Sequence, residues 1–223
     1  MSIILAIDTS FGTSVALVEN GQVRAEVNVL DTMRHAERIG EAIEQVLATS
    51  DVRPSQIGEV VVGRGPAPFT GLRVGIAAAV MFAEGAGAKL FGAVSLDAIA
   101  RSEFENLELR GQVSAARPLL VTSDARRGEV YWALYEGVSK AGSPLRIEGP
   151  AVIKPAALEE LLTERGIEPL RASAPVTAAS LGLLADALLI DGLLETDVTA
   201  LYLRDPDATV PNPKQRVGKA VSS

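Results

Sequence analysis

Residues 3–7 form a continuous apolar run that stops at Asp8, which predicts a short buried strand. Two β-rich runs, 15–18 and 23–29, flank Asn20-Gly21. That dipeptide suits the positive φ angles of a tight type I′ turn and predicts a hairpin. The period then changes. Ala36, Ile39, Ile43, Val46 and Leu47 recur at helical spacing, predicting a helix over about 34–49. A strand at 59–62, a Gly/Pro-rich loop at 63–71, a helix at 72–86, a strand at 89–94 and a helix at 95–104 follow. From Pro118 a similar order starts again. Strands are predicted at 119–122, 129–135 and 145–153, helices at 155–165 and 175–190, and a last strand at 198–203. Pro155 suits a first helical position, because its missing N–H is unused there.

The element order therefore occurs twice, with residues 107–117 as the junction. This predicts an α/β protein of two lobes, each a mixed sheet with flanking helices. The division is 1–106, then 107–205 as a trimmed second lobe, then a loosely held tail at 206–223. The repeat matches the duplicated actin-like and sugar-kinase-like (ASKHA) architecture.

Composition narrows the chemistry. Aromatics make up only 4% of the 223 residues, so the core must be built from Ala, Val, Leu and Ile. The net charge of −7 is the wrong sign for a chain that grips nucleic acid unaided. There is no cysteine, which excludes disulfides, thiolate metal sites and a Cys nucleophile, and fits a reducing compartment. The single histidine, His35, excludes a His-pair metal site, and its amphipathic helix is a poor setting for a catalytic triad. The start has no signal-peptide pattern. No run is long enough to span a membrane; residues 76–83 come nearest and are bounded by Arg73 and Glu84.

Three stretches could carry chemistry. Asp8, Thr9, Ser10, Gly12 and Thr13 lie between the first two predicted strands. A carboxylate, hydroxyls and a Gly there can hold a hydrated metal and offer N–H groups to a phosphate; a plain hairpin with local turn bonds is the bland alternative. The loop 63–75 ends at a helix start where Thr70 can cap, yet no Gly-Lys-Ser/Thr follows, so it is not a Walker loop. In the second lobe, Asp124, Arg126, Arg127 and Gly128 occupy the place that the Asp8 loop has in the first. Those arginines can meet phosphate or a partner's acids, or be ordinary solvated charge. Asp8, Thr9, Ser10, Thr13, Asp124, Arg126 and Gly128 are the candidates for a vestigial phosphate- or nucleotide-binding site. No catalytic residue and no metal ligand set is identified. The chain has no Gly-Gly pair, the usual adenosine cradle of this superfamily. The helix 72–86 is apolar nearly all round, so it should be buried on two sides, one against the sheet and the other against another helix of this chain or, more in keeping with the few helices present, a second subunit.

Residues 4–10 (Ile-Leu-Ala-Ile-Asp-Thr-Ser), Gly65-Pro66 through Gly75, Asp124-Ala125-Arg126-Arg127-Gly128-Glu129-Val130-Tyr131, and Tyr202-Leu203-Arg204 together resemble the TsaB family, also called YeaZ. That family partners the catalytic subunit in bacterial tRNA threonylcarbamoyladenosine synthesis. Two departures stand out. Ala67-Pro68 replaces the family's usual Gly-Ser, and the stretch 165–175 looks shortened. The catalytic sibling family carries a histidine pair just past the Gly loop, and residues 92–101 contain none.

The resemblance implies a non-catalytic cytoplasmic partner or activator, with no cofactor of its own and with ATP or ADP and Mg at the level of the complex. It implies pairing with the catalytic TsaD-type paralogue through the first two helices, an ATPase component of the TsaE type, tRNA contact only through the complex, homodimerisation on the same surface, and no membrane. The interface candidates are His35, Ala36, Ile39, Ile43, Arg73, Ile76, Ala77, Val80 and Met81. The alternatives are an ATPase or small-molecule kinase of the same fold and, with least support, a peptidase.

Overall fold

A computed structural model of the chain describes residues 2–30, 35–67, 69–112 and 117–204; the side chains of residues 35, 36, 69 and 70 also lie outside the description. The first half runs β1 (Ile3–Asp8), β2 (Thr13–Glu19), β3 (Gln22–Val29), α1 (His35–Ser50), β4 (Glu59–Gly63), α2 (Phe69–Ala86), β5 (Lys89–Ala93) and α3 (Ser95–Leu109). The second runs β6 (Leu119–Asp124), β7 (Val130–Val138), β8 (Pro144–Ile153), α4 (Pro155–Glu164), β9 (Leu170–Ala172) and α5 (Ala178–Asp191).

Each half builds one mixed sheet. The first has strand order β3-β2-β1-β4-β5, the second β8-β7-β6-β9. In both, the opening strands pair antiparallel, and the strand reached through a helix joins parallel. The predicted hairpin closes at Asn20-Gly21, with φ of 51° and 72°, setting Glu19 opposite Gln22.

The alternation of β1 shows how the layers stack. Ile4, Leu5, Ala6 and Ile7 are all fully buried. Leu5 and Ile7 face α1 and α2, packing with Ile39, Val46 and Ala79. Ile4 and Ala6 point the other way, into a core shared with Leu96, Ile99, Leu181 and Leu184. That core continues through Val121, Ala133 and Tyr135 of the second sheet. On the far side of this sheet, Leu120, Trp132 and Leu134 meet Leu158 and Leu162 of α4. The layers are thus α1 with α2, first sheet, α3 with α5, second sheet, α4.

The helices of the middle layer cross between halves. α3, from the first half, rests on β6, β7 and β8, while α5, from the second, covers β1 and β2. α5 approaches closely because residue 182 is glycine; a Cβ there would lie 2.6 Å from Val18 Cγ2 and 3.2 Å from Ala6 Cβ. A polar clamp ties α3 to the second sheet. The Tyr135 hydroxyl donates to Asp97 Oδ1 at 2.7 Å, and Arg146 Nη1 donates to the same oxygen at 3.1 Å. Burial raises the Asp97 carboxyl above its ordinary value of 3.8, against the opposing pull of Arg146. Burial, reinforced by the Asp97 charge, holds the Tyr135 phenol well above its ordinary 10.0.

Several predicted elements differ from those observed. Residues 198–203 form no strand. Thr199 N–H bonds back to Asp197 Oδ1 at 2.8 Å, so local turn chemistry overrides the β-rich composition. Just before this segment, Glu195 makes an isolated bridge to Gly92 of the first sheet, and within it Leu201 N–H bonds the Arg64 carbonyl. The stretch read as a shortened loop contains β9, whose Leu170 to Ala172 pair in parallel with Leu119 to Val121. α3 runs on to Leu109, because Leu107 keeps its buried face going. α5 starts at Ala178 rather than at Pro175, with Thr177 capping by accepting from Ser180 N–H. Within the chain α2 buries one side, with Ala79 and Ala83 buried, and leaves the other open, where Met81 is 72% exposed. The proposed tail, 206–223, and the predicted first turn of α1 at residue 34 lie outside the described residues.

Two outcomes are expected. Gly182→Val should cost about 1–3 kcal/mol of unfolding free energy through overpacking, read by urea denaturation. Asp97 binds its proton more tightly folded than unfolded, so its contribution to stability is full below pH 3.8 and is lost as pH rises through the folded pKa. Asp97→Asn should remove that slope from denaturation curves collected just above pH 3.8; equal slopes in both proteins would contradict the assignment.

Candidate functional site

Loops from the two lobes face each other across a cleft. In the first, Asp8 ends β1 with its side chain 1% exposed. Its Oδ1 accepts from Ser10 N–H at 2.7 Å, and its Oδ2 accepts from the Ser95 hydroxyl at 2.8 Å. Ser10 Oγ and Ser95 Oγ lie 2.9 Å apart, closing a small network. Gly63 makes room for it, since a Cβ there would run into the Asp8 carboxylate. A buried acid needs such donors, because an unpaired carboxylate would carry its full desolvation cost.

The other hydroxyls of this loop serve the fold. Thr9 donates to the Gly71 carbonyl at 2.9 Å, and Gly75 leaves space for the threonine side chain, which ties the loop to α2. Ser14 accepts from Ala178 N–H at 2.6 Å and donates to Asn28 Oδ1 at 2.6 Å, which ties the hairpin to the start of α5. Thr13 is buried within β2, opposite Val29.

The second loop is a tight turn. Ala125 N–H donates to Glu129 O at 3.0 Å, and Arg126 N–H donates to Asp124 Oδ1 at 2.8 Å. Arg126, Arg127 and Gly128 have φ of 63°, 55° and 71°. Left-handed backbone costs an ordinary residue about 1–2 kcal/mol, so the two arginines hold a strained turn. Arg126 Nη1 lies 3.6 Å from Asp124 Oδ2, and both side chains stay largely exposed.

The cavity between the loops measures about 90 Å³ and is lined by Ser10, Ser95, Ser123, Asp124, Arg126 and Phe11, among others. Ligand pockets for drug-sized molecules run to roughly 300 Å³ and above, so this one is small beside them. Of the candidate residues, Ser10, Asp124 and Arg126 line the cavity. Asp8 sits behind Ser10 and Ser95. Thr9 and Thr13 are absorbed by the framework, and Gly128 closes the second turn. Among the described residues no group of three or more His, Asp or Glu side chains gathers as a metal site. Ser95 was not singled out from the sequence. A serine opening a helix reads as a cap, yet it occupies the first helical position and turns its hydroxyl to Asp8.

Residues 195–204 run over the surface of the first lobe to the second loop. Leu201 N–H bonds Arg64 O at 2.8 Å, Arg73 Nε donates to the Tyr202 hydroxyl at 3.0 Å, and Arg204 pairs with Glu129. Beside this strap lies the outer face of α1 and α2. Arg73, Ala77 and Met81 are exposed, Ile43, Ile76 and Val80 are half-buried, and Ile39 is turned into the core. The side chains of His35 and Ala36 lie outside the described residues.

Comparison with known proteins gives a consistent picture. The family described as TsaD, tRNA N6-adenosine threonylcarbamoyltransferase, matches residues 30–185, more than half of the chain. An uncharacterised Mycobacterium leprae protein, ML0378, is 36% identical over 93% of this chain, which spans 56% of that relative's length. The Escherichia coli tRNA threonylcarbamoyladenosine biosynthesis protein TsaB is 35% identical over 72% of this chain and 66% of its own. The structure of YeaZ from Pseudomonas aeruginosa superposes with a TM-score of 0.70 at 26% identity, covering 91% of this chain and all of the other.

Removing the Ser95 hydroxyl tests the Asp8 network. Ser95→Ala leaves a buried carboxylate short of one donor and should lower stability by about 1–3 kcal/mol. An unchanged urea midpoint would show that Asp8 does not depend on it.

Proposed function

The chain belongs to the TsaB/YeaZ branch of the threonylcarbamoyltransferase family, and from that premise we propose that it is the non-catalytic partner of the transferase subunit in tRNA threonylcarbamoyladenosine synthesis. The observation that carries the reading is the state of Asp8. In this fold the carboxylate at the end of the first strand is the natural place to position a metal–phosphate group. Here both of its oxygens are occupied by Ser10 and Ser95, with Gly63 packed behind. The 90 Å³ cavity and the absence of a Gly-Gly pair also argue against an ATPase or kinase of the same fold. No feature of the cleft supports a peptidase.

Function then falls to the α1–α2 face, which presents Ala77, Val80 and Met81 with the Arg73 guanidinium at its end. Small residues permit close helix-to-helix approach, and an exposed methionine adapts to an apolar counterpart. The transferase subunit is the proposed occupant, and a second copy of the chain can use the same face when it is absent. Nucleotide, Mg²⁺, the ATPase component and tRNA are then met in the assembled complex, in the cytoplasm.

The test is reconstitution with the transferase subunit of the same organism. The chain alone should transfer no threonylcarbamoyl group, and activity should require both proteins. Ala77→Glu and Met81→Glu, at exposed positions, should leave the melting temperature within a few degrees and lower co-purification at least tenfold. Full activity from the isolated chain would overturn the proposal, and so would undiminished pairing by both variants.

A further inference from the structure

A second depression lies away from the cleft, where the edges of the two sheets come together. It measures about 470 Å³. β5 closes the first sheet on this side and β8 closes the second, and β8 has no strand partner on its outer side among the described residues. Its walls are of two kinds. Leu145 and Leu193 are apolar and 42% and 59% exposed, with Ile147, 50% exposed, continuing along β8. The charged residues are mainly acidic. Arg146 is engaged by Asp97 at 3.1 Å, and Arg64 by Asp197. Glu195 reaches Arg64 only at 3.8 Å and remains 69% exposed. Glu136, on the same wall, is exposed and has no ion-pair partner among the described residues.

An open strand edge beside Glu136, the weakly paired Glu195 and exposed leucines suits an extended segment that is basic and aliphatic and lacks proline. The chain carries one. Residues 214–221 read Lys-Gln-Arg-Val-Gly-Lys-Ala-Val, while Pro206, Pro211 and Pro213 all fall before it. Proline-free sequence is what ladder pairing requires. With a strand's period of two, Lys214 and Arg216 fall on one face, and Val217 and Val221 fall on the other together with Lys219.

We propose that residues 214–221 dock in this groove in cis, adding an antiparallel or parallel strand to β8 and setting their cations against Glu136 and Glu195. The reach is sufficient. Glu195 lines the groove and Arg204 follows nine residues later, so extended chain places Arg204 at most about 30 Å away. Residues 205–213 are again nine, enough to return over the same distance.

Hydrogen exchange of the full chain, followed by mass spectrometry, tests this. Amides of residues 145–148 should exchange at least fivefold faster in the K214E/R216E/K219E variant than in the parent, with β1 and β6 unaffected. Glu136→Lys alone should give a similar increase, and combining it with the tail reversal should restore at least half of the protection, which general destabilisation cannot do. Raising salt from 50 to 500 mM should also speed exchange in the parent. Exchange unchanged by tail reversal overturns the proposal. Protection that grows with protein concentration overturns it too, since that outcome assigns the groove to the tail of a second copy.

Discussion

The helices α3 and α5 lie between two sheets, so each must be apolar on two faces and slim enough for both sheets to close on it. This constraint explains much of the sequence. The middle layer is built from Ala98, Ala100, Ala178, Ala185 and Gly182, with leucines reaching outward between them. Larger residues at the small positions would separate the sheets. The scarcity of aromatics follows the same logic, and Tyr135 is admitted because its hydroxyl has Asp97 to bond. With the sheets fixed, the loops at their ends are fixed as well, and the cleft inherits its narrow gap from the spacing of the layers below.

That inheritance limits what the cleft can do. The first loop is held at three points: Asp8 to Ser95 at the head of α3, Thr9 to Gly71 at α2, and Ser14 to the first turn of α5. Its polar groups are spent on holding these elements together. The second loop keeps its arginines at the surface by accepting backbone strain at two successive positions. The polar groups of the first loop thus serve structure, whereas Asp124 and Arg126 of the second pair with each other at the exposed mouth of the cleft.

Much of the fold was legible because its signals are local. The apolar run of β1, the Asn20-Gly21 turn and the spacing in α1 each specify an element without reference to the rest of the chain. β9 escaped detection because three residues cannot show a period. The run 198–203 misled because β-branched composition says nothing about the Asp197 side chain that turns it. The exchange of helices between halves was hidden for a deeper reason: periodicity reveals that a helix has a buried face, and not which sheet covers it. The site was legible in outline through Asp8, Asp124 and Arg126. Ser95 was out of reach, separated from Asp8 by 87 residues and indistinguishable from an ordinary helix start.

The crossing of α5 also bears on how the protein is made. Ile4, Ala6, Ala16 and Val18 open the chain, yet the helix that covers them ends at Asp191. During synthesis the inner face of the first sheet lacks the cover of α5 until residues 178–191 have left the ribosome. The first half therefore cannot mature as an independent unit, as the leading domain of a larger protein commonly does. The two lobes are separate in sequence order but joined in time, and a ribosome that stalls before residue 178 leaves an exposed apolar sheet for chaperones or proteases to find.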